Sequence, residues 1–149
     1  MHTEQMTQAL SIAAAPLNPG SVSPGTADTG GLDMQKFKRA LFVLDVGAFG
    51  ASATVDMKLQ ESVDNSAFTD LAGTGVAITQ LVAAGGNNRL ATLECRHGQL
   101  SAGKRYLRAR VTVGTAATTL CCIPLGGDAD WKPGSANDIA AVAQRSVVS

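Results

Sequence analysis

Alternating apolar and polar residues between positions 104 and 113 constrain the fold of this chain more than any other feature. The apolar set occupies every second position: Leu107, Ala109, Val111 and Val113. The polar set fills the positions between them: Tyr106, Arg108 and Arg110. A repeat of two places the sets on opposite faces of a β-strand, so we expect one face in a core and the other at the surface.

Further segments of this kind lie between residues 36 and 127. Positions 52–61 alternate in the same way, and the apolar run within residues 37–46 indicates a buried strand. Other strand candidates are residues 76–82, 90–95 and 118–125. About six or seven short strands, with turn signals every ~8–12 residues, predict an all-β sandwich without a helix in this region.

The two ends of the chain have a different composition. Residues 1–30 are rich in Ala, Ser, Thr, Gly and Pro, which favours extended backbone, and we expect an N-terminal arm there. The β-sandwich domain is then residues 31–127, and residues 128–149 form a C-terminal arm or a short helix capped by Ser135 or Asn137. We expect both arms to lie on other chains.

Charge and composition argue against several classes of partner. Twelve basic and 12 acidic residues give a net charge of zero, and a dedicated nucleic-acid-binding protein normally has a basic excess. No apolar run has the length of a membrane span. We therefore expect neither nucleic acid nor a membrane as a partner.

The residues that most often carry catalysis or bind metal are few and poorly grouped. Cys95 and His97 could share a strand face, but the paired cysteine spacing of a structural zinc site is absent. Cys121 and Cys122 are adjacent and should point apart, so we expect all three thiols to be free, as in a reducing cytoplasm. The carboxylates expected at turns or on a solvent face are Asp56, Glu61, Asp64 and Asp70. The sequence predicts no catalytic residue, no metal and no cofactor.

Three segments together resemble the head decoration, or cement, proteins of tailed bacteriophages: TADTGGLDMQKFKRALFVLDVG, QESVDNSAFTDLAG and GKRYLRARVTVGTAATTLCCIPLGG. The resemblance covers about residues 26–127. It implies a jelly-roll-like sandwich that binds the outer surface of a capsid assembled in the bacterial cytoplasm. It also implies the major capsid protein as a partner, together with copies of the chain itself as a dimer or trimer, and no catalytic residue.

The surface residues expected at a protein interface are Tyr106, Arg108, Arg110 and Trp131. No acidic residue lies near the two arginines in sequence, so their carboxylate partners must come from a distant strand or another chain. We expect at least one to pair across a subunit boundary, and neither Arg108→Ala nor Arg110→Ala to change thermal unfolding of the isolated protein. The alternative function is a phage tail or fibre module that contacts a host surface.

Overall fold

A computed structural model describes residues 5–146. One four-residue helix, α1 (Met6–Ala9), precedes the strands, and three short 3-10 turns lie at Ala83–Gly85, His97–Gln99 and Gly134–Asn137. The strands are β1 (Leu10–Ser11), β2 (Leu17–Val22), β3 (Gly25–Asp28), β4 (Leu32–Asp33), β5 (Phe37–Val46), β6 (Thr54–Ser62), β7 (Thr69–Asp70), β8 (Leu81–Val82), β9 (Arg89–Arg96), β10 (Tyr106–Gly114) and β11 (Thr118–Ala129).

The strands form two antiparallel sheets. Sheet I has the order β1-β11-β5-β9, with β2 also paired to β11, and sheet II has the order β3-β10-β6-β7, with β4 paired to β10 and β8 to β6. The longer strands alternate between the sheets along the chain, from β2 in sheet I and β3 in sheet II to β10 and β11. This connectivity is that of a jelly roll, so the predicted β-sandwich is confirmed.

The core lies between the sheets and is made of the inward halves of the alternating strands. In β10, every second residue from Leu107 to Val113 is buried, as the alternation predicts. The facing side chains of sheet I include Phe42 and Leu44, which are fully buried. Aliphatic side chains interdigitating across two sheets supply the hydrophobic stabilisation here, because the chain has few aromatic residues.

The N-terminal segment is part of the sandwich, which corrects the expectation of an arm lying on another chain. Strand β2 pairs with β11 in sheet I, and β3 pairs with β10 in sheet II. Pro19 lies in β2, where the register with β11 shifts, and an edge strand tolerates proline because one side of its backbone needs no partner. The proline-rich composition therefore marks edge strands.

The C-terminal segment also folds back onto its own chain. Residues 134–137 form a 3-10 turn, and no α-helix extends to residue 144. The Asp138 carboxylate accepts hydrogen bonds from Ser11 Oγ (3.0 Å) and Ile12 N (2.8 Å). Arg145 pairs with Asp138 and donates to the carbonyl oxygen of Thr7 (2.6 Å). These contacts bind the last described residues to the first, which replaces the expected C-terminal arm or helix.

Two other differences concern the loops. The predicted strand at 76–82 is irregular, because only Leu81–Val82 pair as a strand, and Ile78 N donates to Met57 O (2.9 Å) as a separate contact. The chain turns after this segment, with Gly86 and Asn88 both at positive φ (90° and 59°). No helix in residues 5–146 has both the length and the apolar character needed to span a bilayer.

Candidate interaction surfaces

The outer face of sheet II carries the basic residues of β10. Tyr106, Arg108 and Arg110 point outward and are part-exposed, whereas the residues between them are buried. The predicted division of this strand into two faces is confirmed. The outward side chains are nevertheless engaged with neighbours on the same sheet, so their charges are not free to bind a partner without rearrangement.

Asp28 of β3 pairs with both arginines. It lies opposite Arg110 in the antiparallel register, and Arg110 donates to it from Nε (2.7 Å, to Oδ1) and Nη2 (2.7 Å, to Oδ2). Arg108 Nη2 lies 3.0 Å from Asp28 Oδ2. The hydrogen bonds from Arg110 hold the pKa of Asp28 below its usual value. A distant strand of the same chain therefore supplies a carboxylate, one of the two sources expected from the sequence, and pairing of an arginine across a subunit boundary stays a prediction.

The contacts continue across the sheet to β6 and β7. Arg108 donates from Nη2 to Gln60 Oε1 (2.8 Å), Gln60 Nε2 donates to Asp70 Oδ1 (2.7 Å), and Lys58 Nζ donates to Asp70 Oδ2 (2.7 Å). The Phe68 ring lies 4.0 Å from the Arg108 guanidinium and covers it, and burial lowers the pKa of Arg108. We call this connected set the charge ladder: Lys58, Asp70, Gln60, Arg108, Asp28 and Arg110.

One end of the sandwich, which we call the Trp131 end, brings the start of β5 and β10 together with the ends of β6 and β11. Asp130 N donates to Lys36 O (3.0 Å), so the residues after β11 lie beside the start of β5. Arg105 joins the same end to sheet II through its backbone. Its amide N donates to Ser62 O (2.9 Å), and its carbonyl O accepts from Met34 N (2.9 Å). The end is therefore a well-bonded platform.

Two of the predicted interface residues lie at the Trp131 end. Trp131 is 84% exposed, and Val63, which follows β6, is 58% exposed. Tyr106 begins β10, and its ring lies 5.1 Å from the Arg105 guanidinium, which is itself bound to Asp33 at 2.6 Å. The structure thus separates the four predicted residues into Tyr106 and Trp131 at one end and the two arginines within the charge ladder. Their role at an interface stays a prediction.

The outer face of sheet I has an apolar patch centred on β5 and β11, which sequence reasoning missed. We call it the apolar face, and it consists of Leu41, Val43, Leu90, Ile123 and Leu125. Leu90 is 70% exposed and Ile123 is 38% exposed, while the other three are half-buried. The signal was present in the run Leu41–Leu44, whose side chains are apolar on both faces of β5, a pattern typical of strands covered on both sides.

All three cysteines are free, as predicted. Burial raises the pKa of Cys95 to about 11 and that of Cys122 to about 12, so both are neutral thiols near pH 7. His97 is exposed in the turn after β9. Within residues 5–146, no cluster of three or more histidine, cysteine or acidic side chains could hold a metal ion.

Glu61 is buried, which corrects its predicted place at a turn or on a solvent face. It shares the inward parity of Val55, Met57 and Leu59 in β6 and is only 3% exposed. Its Oε2 accepts a hydrogen bond from Ser101 N at 2.9 Å. This carboxylate therefore fixes the loop between β9 and β10 to the end of the core, and Cys95 beside it is a neutral thiol.

Comparisons with known proteins give matches among solved structures alone. No family model and no curated protein matches the chain. Among solved structures, the chain is similar to one from the infectious bursal disease virus Gt strain, with a TM-score of 0.36 and 9% sequence identity. The similarity covers 82% of this chain and 30% of that chain.

Proposed function

We propose that this chain is a structural virion protein that binds the outer surface of a tailed-phage capsid and stabilises it by bridging subunits of the major capsid protein. The jelly-roll connectivity supports this proposal, since viral capsid domains use this double-sheet architecture, as do lectins and cupins. Among these classes of protein, the resemblance of residues 26–127 to phage decoration proteins favours a capsid-binding protein. A protein of this kind is expected to reside on the virion after assembly in the host cytoplasm.

The observation that carries the proposal is the exposed Trp131 on a rigid platform. Tryptophan is among the residues that most often dominate the binding energy of an interface, because it buries a large area with few rotatable bonds. Trp131, which is 84% exposed at the same end of the sandwich as the exposed Val63, offers such an anchor. Docking by this end leaves both sheet faces outside the capsid contact.

Such a protein stabilises a capsid through many copies, each of which makes the same few contacts. Each copy needs only a modest affinity when its contacts join neighbouring capsid subunits, because a second contact made by an already bound copy is effectively intramolecular. Such a protein also has to resist distortion. The charge ladder and the bonded termini supply this rigidity without any chemical reaction.

The first test is the composition of purified virions. We expect a copy number similar to that of the major capsid protein by quantitative mass spectrometry, and removal of the protein should lower the temperature at which heads release DNA. A few copies per virion would instead favour the tail or fibre module, for which exposed Trp131 could stack on a host sugar. Absence from virions would refute both.

The second test is add-back to heads that lack the protein. Trp131→Ala should weaken attachment by at least about tenfold, since truncation of a central aromatic anchor costs roughly 2 kcal/mol or more. A matched control is Val82→Ala, an exposed apolar residue (41%) that pairs with the start of β6, away from both the Trp131 end and the apolar face of sheet I. Equal attachment of the Trp131→Ala variant and the wild type would show that this end does not dock.

A further inference from the structure

The apolar face of sheet I has no partner within residues 5–146. Strand β5 has apolar residues toward the core and also outward at Leu41 and Val43. Strand β11 adds Ile123 opposite Val43 and Leu125 opposite Leu41. The outer face of sheet II, in contrast, is polar along its two central strands β6 and β10, apart from the ring of Tyr106. A sandwich with one polar, solvated outer face and one apolar outer face is typical of a protein that buries the apolar face against another protein.

We propose that a second copy of this chain covers the apolar face, with the two sheets I packed against each other about a two-fold axis. The axis lies between the two sheets and runs perpendicular to the strands, between the neighbouring pairs Leu41–Leu125 and Val43–Ile123. The Leu41–Leu125 pair of one copy then packs on the Val43–Ile123 pair of the other copy. The same patch serves both subunits, as closed dimers require.

The charges around this face favour a copy of the chain over a different partner. Arg96, at one end of β9, and Asp45, near the other end of the face, both point outward and form no ion pair with another residue of the described chain. Arg39 lies opposite Arg96 and is already paired with Glu94 (3.7 Å) and Asp128 (3.1 Å). The face therefore has one unpaired charge of each sign, at opposite ends.

The two-fold arrangement brings these charges together. Because the axis runs across the strands, it places the Asp45 end of one copy over the Arg96 end of the other. Two equivalent pairs form, one at each end of the interface. A partner with charges of one sign would repel either Asp45 or Arg96. A second copy of the chain instead offers an opposite charge to each of them.

The dimensions of the sheet predict a weak dimer. Four strand widths of ~4.8 Å and seven residues of ~3.3 Å give about 450 Å² per copy, or roughly 900 Å² for the pair. That area is just below the roughly 1,000 Å² expected of a stable specific interface. We therefore expect a monomer–dimer equilibrium that becomes visible at high concentration and is favoured where copies are held side by side.

Sedimentation velocity on the full chain, from about 1 μM to about 1 mM, tests the proposal over the range expected for a small interface. The wild type should shift from monomer to dimer, and Ile123→Lys should raise the dissociation constant at least about tenfold, because it places a charge at the apolar centre. Thr112→Lys is the matched control, since Thr112 is a half-buried strand residue on the outer face of sheet II. It should leave the dissociation constant unchanged.

Charge reversal tests the arrangement of the two copies. Asp45→Arg and Arg96→Asp should each weaken the dimer by about three- to tenfold at low salt, and the double variant should regain wild-type association because the pairs are restored in reverse. An unchanged unfolding midpoint shows that each variant is folded. A wild type that stays monomeric at about 1 mM, or a dimer insensitive to Ile123→Lys, would overturn the proposal.

Discussion

Asp28→Asn should destabilise the protein measurably at neutral pH, because Asp28 is the carboxylate shared by two arginines of the charge ladder. Arg110 donates two short hydrogen bonds to it, and Arg108 lies 3.0 Å away. Asparagine has one acceptor oxygen and no charge, so it can replace only part of these contacts. Hydrogen bonds to charged groups contribute about 1.5–3 kcal/mol each, and partial exposure of Arg110 (29%) reduces that figure.

We therefore expect a loss of about 2 kcal/mol in the free energy of unfolding. For a chain of 149 residues, an unfolding entropy of ~2.1 cal/mol/K per residue converts this loss into a fall of roughly 6 °C in Tm. Urea unfolding monitored by circular dichroism measures the free energy of unfolding, and calorimetry measures Tm. The matched control is Asp56→Asn on the same face, where the carboxylate accepts only from exposed Gln80, and we expect a change under about 0.5 kcal/mol.

The pH dependence gives a second criterion. The folded-state pKa of Asp28 lies below its usual value, so its stabilising contribution is fully present above about pH 4 and is lost as the pH falls through the folded pKa. The difference between the wild type and Asp28→Asn should therefore be constant from pH 7 to about pH 5 and should narrow below pH 4. Equal stability at pH 7, or a difference that persists unchanged in acid, would refute the role of this carboxylate. By the same reasoning we expect Arg110→Ala to lower the stability, contrary to the expectation from the sequence, because that variant removes two hydrogen bonds to the half-buried Asp28 and leaves it the contact with Arg108.

Three further outcomes follow from the packing of sheet I and the N-terminal strands. Gly126→Ala should cost about 1–3 kcal/mol in urea unfolding, since its Cβ would lie 2.7 Å from the Phe37 ring, whereas Gly98→Ala has open space and should be near neutral. A thiol reagent at pH 8 should modify Cys121 first, because burial raises the pKa of the other two thiols to about 11 and 12, and equal rates in the native protein would contradict their burial. Deletion of residues 1–28 should abolish folding, as judged by loss of a cooperative unfolding transition. It removes β1 and β2 from sheet I, β3 from sheet II, and Asp28, one of the two carboxylates of the charge ladder. A cooperatively folded product would show that these strands are dispensable.

Local pattern alone determined the strand content and the inner faces of the sandwich. The alternation in β6 and β10 specifies which side chains enter the core, because a strand has a side-chain period of two whatever it pairs with. The divergence of the adjacent thiols Cys121 and Cys122 follows from the same period. These features depend on neighbours in sequence, so they can be predicted without the fold.

Only the tertiary structure decided which strands pair and what each outer face meets. Asp28 and Arg110 are 82 residues apart, and their contact exists because β3 returns beside β10 in one register. No local pattern encodes that register, which is set by the burial of both sheets together. For the same reason, a proline-rich segment became two edge strands, and the outward side chains of Leu41 and Val43 met no other element within residues 5–146. The sequence determined the character of each surface, whereas the pairing of distant strands decided which surfaces were satisfied within the chain and which remained open to a partner.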